Sequence, residues 1–235
     1  MPYKFEIRRN DYLKRDTFGF CHQFYFGYKV PGNPDFLNTL KNTFNEELYN
    51  NLLIARDEVV KILMKDIPII LEKTGFLESL IVCVPRAKAL SYYSPTQLMF
   101  LEAVKIAANC IPGVADGTDY IKRMVNTKTT HIKRQMSIPN DGPEPYPGIT
   151  KDTCKIYRDK IKGKNIILID DIYTKDVNVD EDCIQALFDS GAQEVVFYAV
   201  GHTIKNILSI NNDFIKARLR TGEEVIFYPV CSKNT

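Results

Sequence analysis

The stretch IILIDDIYTKDVNVDED, residues Ile166 to Asp182, places four apolar residues directly before two adjacent carboxylates. Its apolar part is typical of a strand that is buried on both faces of a sheet, and the polar loop after the acids leads into a helical pattern. Asn178 and Glu181 have the spacing of a capping box, and Gly191 stands where that helix should end. The stretch therefore predicts a strand, a loop and a helix in direct succession.

Similar patterns surround this unit. SLIVCVP (79–85) and EVVFYAV (194–200) are short apolar runs of the kind found in buried strands, and PTQLMFLEAVKIAANC (95–110) has helical spacing. Apolar residues at three- and four-residue spacing also follow Asn33 as far as Leu63, which predicts two helices or one bent helix. Strands alternating with helices indicate an α/β fold with a mainly parallel central sheet flanked by helices.

The two ends of the chain have a different character. Residues 3–7 alternate between apolar and polar side chains, and residues 20–30 are rich in aromatic ones, which predicts a pair of strands. KARLRTGEEVIFYPV (216–230) predicts a hairpin that turns near Gly222. We expect one domain over 1–235, with a strand pair in 1–32, a core in 33–203 and a hairpin in 204–235, the end segments forming a small hood.

Composition limits the classes of function only weakly. Hydrophobic residues make up 45% and charged residues 26% of the 235 positions, as in ordinary globular proteins, and the net charge of +2 neither requires nor forbids a nucleic-acid partner. The six cysteines contain no C-x-x-C pair, which argues against a zinc site. We find neither a signal-peptide pattern nor an apolar run of membrane-spanning length, so we expect a cytoplasmic protein that does not bind a membrane.

The two acids fall at a favourable place for ligand binding. In an open parallel sheet, ligands bind beyond the carboxyl ends of the strands, and Asp170 and Asp171 stand at such an end. Carboxylates accept hydrogen bonds from the vicinal hydroxyls of a sugar, while loop amides and a helix N-terminus bind phosphate. The pattern predicts a ribose 5-phosphate site, and the plainer alternative is a solvated turn whose acids favour the helix start.

ILIDDIYTKDVNVDEDCIQALFDSGA resembles the phosphoribosyl pyrophosphate motif of type I phosphoribosyltransferases. The likeness is greatest to the ComF-like group, related to amidophosphoribosyltransferases, in which a hydrophobic residue, tyrosine and threonine follow the acids. Asp170, Asp171, Tyr173 and Thr174 stand at those positions, and FGYKVPGNPDFLNTL, LIVCVP and Gln97 resemble other segments of the group in the same order. The resemblance implies a type I phosphoribosyltransferase fold.

Two departures from the family pattern accompany this resemblance. Family phosphate loops usually read threonine-threonine-glycine-alanine-threonine, whereas this loop runs from Thr174 to Asn178 as TKDVN. Asp176 replaces the glycine; Asp tolerates a positive φ, but its charge repels a phosphate unless Lys175 or a metal offsets it. The cysteine-rich N-terminal zinc element of ComF-like proteins is also absent from the sequence.

The resemblance implies transfer of ribose 5-phosphate from magnesium phosphoribosyl pyrophosphate to an unidentified nitrogen acceptor, with release of pyrophosphate. Asp170 and Asp171 would hold the ribose and favour its cationic form, Arg86 and Lys88 would bind pyrophosphate, and Mg²⁺ would be carried by the substrate without a direct protein ligand. A loop cation would close over the leaving group; Lys128, Lys133 and Arg134 remain alternatives. The 5′-phosphate would lie on Tyr173, Thr174, Lys175, Asp176, Val177 and Asn178.

Other interpretations stay open. Arg86 and Lys88 are equally consistent with surface charges at a strand end, and His202 is more typical of a structural histidine than of a base. A catalytically altered module could instead sense nucleotides or dock a partner, with nucleic acid binding the basic segment 122–134. A phosphatase-like or receiver-like domain is a third alternative. By analogy with many relatives, a homodimer is an expectation.

Overall fold

The computed structural model describes residues 1–130 and 140–231 of the chain. The strands are β1 (Tyr3–Ile7), β2 (Thr17–Tyr25), β3 (Ser79–Cys83), β4 (Val114–Asp116), β5 (Ile121–Arg123), β6 (Cys154–Ile156), β7 (Asn165–Tyr173), β8 (Glu194–Thr203), β9 (Asn206–Ile210), β10 (Ile215–Arg218) and β11 (Glu224–Pro229). The helices are α1 (Asp35–Lys41), α2 (Tyr49–Thr74), α3 (Met99–Cys110), α4 (Ile149–Thr153), α5 (Arg158–Ile161) and α6 (Val179–Asp189), and two 3₁₀ turns, Leu90–Tyr92 and Pro95–Leu98, precede α3.

Nine strands form one mixed sheet in the order β4-β3-β7-β8-β2-β1-β11-β10-β9. The first five run parallel to their neighbours, and every pairing from β2–β1 onward is antiparallel. Strands β5 and β6 make a separate antiparallel pair. The predicted α/β class, with helices around a central sheet, is confirmed.

Strand β7 lies in the interior of the sheet because its side chains are apolar on both faces. Ile167 and Ile169 pack in the core cluster that contains α1, α2 and α3, whereas Ile166 and Leu168 pack in the cluster that contains α6. Successive side chains of a strand point to opposite faces, so an uninterrupted apolar run requires cover on both sides. The run NIILI therefore decides the layered architecture.

The ends of the chain join the central sheet. The predicted strand pair forms, with Tyr3 opposite Cys21 and Ile7 opposite Thr17. We expected the ends to build a small hood, and that arrangement is wrong: β2 pairs in parallel with β8, and β1 carries β11, so both end segments extend the sheet. The aromatic and β-branched residues of β2 fit a pleated surface with neighbours on both edges, which favours pairing over a separate cap.

Backbone conformation explains where the helices begin and end. The helical pattern after Asn33 forms two helices, because Asn42 adopts a left-handed conformation with a φ of 36° after α1. Helix α6 stops before Gly191, whose φ is 92°, as predicted. The predicted capping box at its start is wrong: Asn178 has a φ of 59° and makes no side-chain cap, and Glu181 has another partner.

Helix α2 is the longest helix, at 26 residues. In the part of the chain that the structure describes, no helix has both the length and the apolar character needed to cross a membrane.

Candidate functional site

The predicted acid pair lies near the carboxyl end of a central parallel strand. Asp170 and Asp171 belong to β7, which continues for two residues beyond them. The Asp170 carboxylate accepts a hydrogen bond from the Asp171 amide at 2.8 Å, and the Asp171 carboxylate accepts one from the Ile172 amide at 2.6 Å. Both acids are partly buried and are fixed by the backbone that follows them.

A third carboxylate joins the pair from the first turn of α6. Asp180 is only 5% exposed and lies close enough to Asp170 for their charges to interact. Burial, followed by the charge of Asp171, raises the pKa of Asp170 to about 7, and burial and the charge of Asp170 raise the pKa of Asp180 well above its ordinary value. The folded protein therefore disfavours the ionised forms of these two adjacent carboxyl groups.

Tyr173 is buried in the core directly before the loop. Its hydroxyl donates to Glu181 Oε1 at 2.6 Å, and its ring packs against Phe5 and His202, with centroids 5.3 and 4.9 Å away. Burial raises the pKa of both Tyr173 and Glu181, and burial lowers the pKa of His202 to about 3. His202 is thus a neutral core residue, and Tyr173 is buried under the predicted phosphate loop with its hydroxyl already bonded.

The loop from Thr174 to Asn178 makes a tight turn. The Val177 amide donates to the Thr174 carbonyl at 3.0 Å. Asp176, which stands at the position of the family glycine, does not have a positive φ; within the described loop the positive φ belongs to Asn178. Asn tolerates this region as Asp does, so the chain reverses two residues later than the family pattern predicts.

Side chains tie this loop to the surrounding sheet. The Lys175 ammonium lies 2.6 Å from Glu223 Oε1, so Lys175 neutralises a sheet carboxylate and is not committed to Asp176. Two further contacts, Thr174 Oγ1 with Thr203 Oγ1 at 2.7 Å and Asn10 Nδ2 with Asn178 Oδ1 at 2.9 Å, hold the two ends of the loop.

Arg86, one of the two predicted pyrophosphate cations, binds the end of α1. Its guanidinium donates to the carbonyls of Gln97 and Lys41, the latter at 3.2 Å, and lies 4.3 Å above the centre of the Tyr93 ring. These contacts fix the loop after β3 against α1. Both Nη atoms of Arg86 thus donate to protein carbonyls.

The other predicted cations also have protein partners or lie elsewhere. The Lys88 ammonium donates to the Asp141 carbonyl and carboxylate at 2.7 and 2.8 Å. Lys128 lies 3.2 Å from Glu144. The remaining candidates for closing the site, Lys133 and Arg134, lie outside the described residues.

A lysine that sequence reasoning missed lies beside the acids. Lys41 ends α1, and its Nζ is 3.7 Å from Asp171 Oδ2. The two residues are 130 positions apart in the chain, so spacing gave no sign of the contact. The one available signal was position, because Lys41 follows directly after FGYKVPGNPDFLNTL, one of the segments that carry the family resemblance.

Buried Arg123 links the loop after β3 to the basic segment 122–134. It is 6% exposed, and its guanidinium donates to the Arg86 carbonyl at 3.1 Å and to the Pro85 carbonyl at 3.4 Å. Arg123 therefore has a structural role, which removes one cation from the surface that we considered for nucleic-acid docking.

In the part of the chain that the structure describes, the site combines an acid cluster, a tight turn and the adjacent ammonium of Lys41. Over residues 1–130 and 140–231, no three His, Cys, Asp or Glu side chains are grouped so as to hold a metal ion. No family model matches the sequence, and a search of curated proteins finds no significant match. Functional inference consequently rests on the geometry and on the motif.

Proposed function

We propose that this protein is a phosphoribosyltransferase with a type I fold, which binds magnesium phosphoribosyl pyrophosphate and transfers ribose 5-phosphate to a nitrogen acceptor. The observation that carries the proposal is the position of Asp170 and Asp171, partly buried near the carboxyl end of a central parallel strand and followed by a tight turn and a helix. A carboxylate near the end of such a strand can accept a hydrogen bond from a ribose hydroxyl.

The turn offers donors for the 5′-phosphate. In the described part of the chain, the backbone amides of Lys175, Asp176 and Asn178 donate to no protein acceptor. Amides that are free at a turn before a helix favour an anion, because their partial charges add to that of the helix N-terminus. Asp176 opposes this attraction, so the phosphate affinity depends on the amides and on the Mg²⁺ that accompanies the donor.

The chemistry breaks the bond between ribose C1 and the pyrophosphate oxygen and forms a bond from C1 to the acceptor nitrogen, which then releases a proton. Positive charge develops on the ring and negative charge on pyrophosphate. Asp171 stabilises the ring cation electrostatically, while Asp170 accepts a hydrogen bond from a ribose hydroxyl. Mg²⁺ enters with the donor and neutralises the leaving group.

A second candidate function has one observation in its favour. The two cations predicted to bind pyrophosphate, Arg86 and Lys88, are engaged by protein acceptors. A fold with this arrangement fits a catalytically altered module that binds a nucleotide or a ribose phosphate without turnover. Binding without pyrophosphate release would favour this second candidate.

The deciding experiment is calorimetric titration of the full chain with magnesium phosphoribosyl pyrophosphate, beside Asp171→Asn. Asp189→Asn is a matched control, because Asp189 lies at the opposite end of α6 and pairs with Lys151. We expect the native chain and the control to bind, and Asp171→Asn to bind at least tenfold more weakly, the loss of one hydrogen bond to a charged group. Absence of binding by the native chain would refute the proposal, and pyrophosphate release with a nitrogen acceptor would separate the two candidates.

A further inference from the structure

Among the described residues, the ammonium of Lys41 lies beside Asp171 and donates no hydrogen bond to the protein. Its distance of 3.7 Å from Asp171 Oδ2 makes an ion pair without a hydrogen bond. About a quarter of each side chain is exposed, so both remain accessible to a ligand.

The other cations around the site differ from Lys41 in this respect. Arg86 binds backbone carbonyls, Lys88 binds Asp141, and Lys175 binds Glu223. These contacts orient each cation toward a protein acceptor, and a charge-assisted bond contributes about 1.5–3 kcal/mol, so turning such a cation to a ligand costs free energy. Lys41 has no such bond to lose.

The fold holds Lys41 in place through the end of α1. The Lys41 carbonyl accepts a hydrogen bond from Arg86 at 3.2 Å, and the next carbonyls, of Asn42 and Thr43, accept bonds from Gln97 at 3.0 and 3.3 Å. These donors satisfy the carbonyls that a helix C-terminus leaves free. Arg86 and Gln97 thereby act as positioning residues that fix α1 against the loop after β3.

We infer that Lys41 is a substrate-binding residue that contacts the pyrophosphate group of the donor, an inference that rests on the proposed function. In the ligand-free protein it partly neutralises Asp171. When a donor with several negative charges binds between the acids and the loop after β3, the free N–H groups of Lys41 turn to the pyrophosphate oxygens. Lys41 of α1 then has the pyrophosphate-binding role that the family resemblance implied for Arg86 and Lys88.

The test measures binding of three probes, magnesium phosphoribosyl pyrophosphate, magnesium pyrophosphate and ribose 5-phosphate, to the native chain, Lys41→Met and Lys41→Arg. Lys151→Met is the matched control, because it also removes one lysine and one ion pair, at the far end of α6. Thermal unfolding of each variant establishes that it is folded. If Lys41→Met is unfolded, Lys41→Gln carries the same expectation.

We expect Lys41→Met to weaken binding of the donor and of magnesium pyrophosphate about tenfold or more, as loss of a charge-assisted contact should. Lys41→Arg should retain most of the affinity, and ribose 5-phosphate should bind Lys41→Met nearly as well as the native chain. If Lys41→Met bound the donor as tightly as the native protein, the inference about Lys41 would be wrong, but the proposed function would stand. The inference would also be wrong if Lys41→Met lost as much affinity for ribose 5-phosphate as for the donor, because that result would indicate a general charge effect. No binding by the native chain would refute the proposed function as well.

Discussion

Replacing Asp170 by asparagine should stabilise the folded protein at alkaline pH. The folded protein raises the pKa of this carboxyl from an ordinary 3.8 to about 7, chiefly by burial and then through the charge of Asp171. An asparagine has the same shape and stays neutral. Its oxygen can still accept the Asp171 amide, and its NH₂ group can donate to Asp180.

The size of the effect follows from the difference between the two pKa values. A separation of about three corresponds to about 4 kcal/mol between the protonated and ionised forms. Asp170 keeps some solvent contact, and its ionisation depends on that of Asp180 beside it, so we expect Asp170→Asn to gain only about 1–3 kcal/mol in free energy of unfolding at pH 8.

The direction of the pKa shift of Asp170 also determines how the stability of the folded protein depends on pH. A carboxyl whose pKa is raised on folding favours the folded state while it is protonated, and this contribution declines between about pH 4 and pH 7 as the group ionises. The native chain should therefore lose stability over that range relative to Asp170→Asn. The gain from the substitution should be small at pH 4.5 and complete at pH 8.

Urea unfolding of both proteins at pH 4.5, 6 and 8 measures this difference, provided that the dependence of stability on urea concentration is unchanged. Asp189→Asn serves as a comparison: burial raises the pKa of Asp189, but the contacts with Lys151 and Gln185 and the charge of Lys14 together lower it, so removing that carboxylate should not stabilise the protein. If Asp170→Asn were less stable than the native chain at pH 8, or if its effect did not change with pH, the assigned electrostatic cost would be wrong.

Substitutions at two neighbouring residues, Asp182 and Tyr173, should instead lower the free energy of unfolding. Asp182, also in the first turn of α6, accepts hydrogen bonds from the amides of Gly148 and Thr150, so Asp182→Asn should lower the free energy of unfolding by about 1–3 kcal/mol, measured by urea unfolding. Tyr173→Phe removes the hydroxyl that donates to the Glu181 carboxyl and should cost about 1–3 kcal/mol. This second loss should be larger at pH 8 than at pH 5, because the hydrogen bond stabilises the ionised form of Glu181; a loss independent of pH would contradict that reason.

Local patterns were sufficient for the central elements. The run NIILI predicted a doubly covered strand, and the structure places Ile167 and Ile169 on one face and Ile166 and Leu168 on the other. Gly191 predicted the end of α6 because a left-handed residue is needed there. Such features depend on residues that are close in the sequence, which is why one sequence reveals them.

Pairing between distant segments was not predictable in the same way. The sequence predicted that the aromatic strand β2 pairs with β1. In the structure the other edge of β2 also pairs with β8, which lies more than 170 residues later in the chain. The spacing of Asn178 and Glu181 satisfied the rule for a capping box, yet Tyr173 provides Glu181 with a closer donor. A spacing rule contains no information on competing partners that the tertiary structure supplies.

The same limit applies to the candidate site. Asp170 and Asp171 were predictable because they follow an apolar run, whereas Lys41 comes from a helix more than a hundred residues earlier. The position of Asp180 in the sequence is typical of a solvent-exposed acid that stabilises a helix N-terminus. Its burial against Asp170 depends on how α6 packs on β7, and that packing turns a surface charge into part of the site.

The electrostatic cost of this cluster bears on function. Asp180 Oδ1 and Glu181 Oε2 are buried without a hydrogen-bond partner in the described structure, and burial raises the pKa of both groups. Buried acids of this kind lower stability, and neutral residues of similar size would serve the fold better. A helix start that only had to be stable would keep its acids in water. Acids held at the end of a central strand, at the expense of stability, are the arrangement expected of a site whose carboxylates contact a ligand with hydroxyl groups.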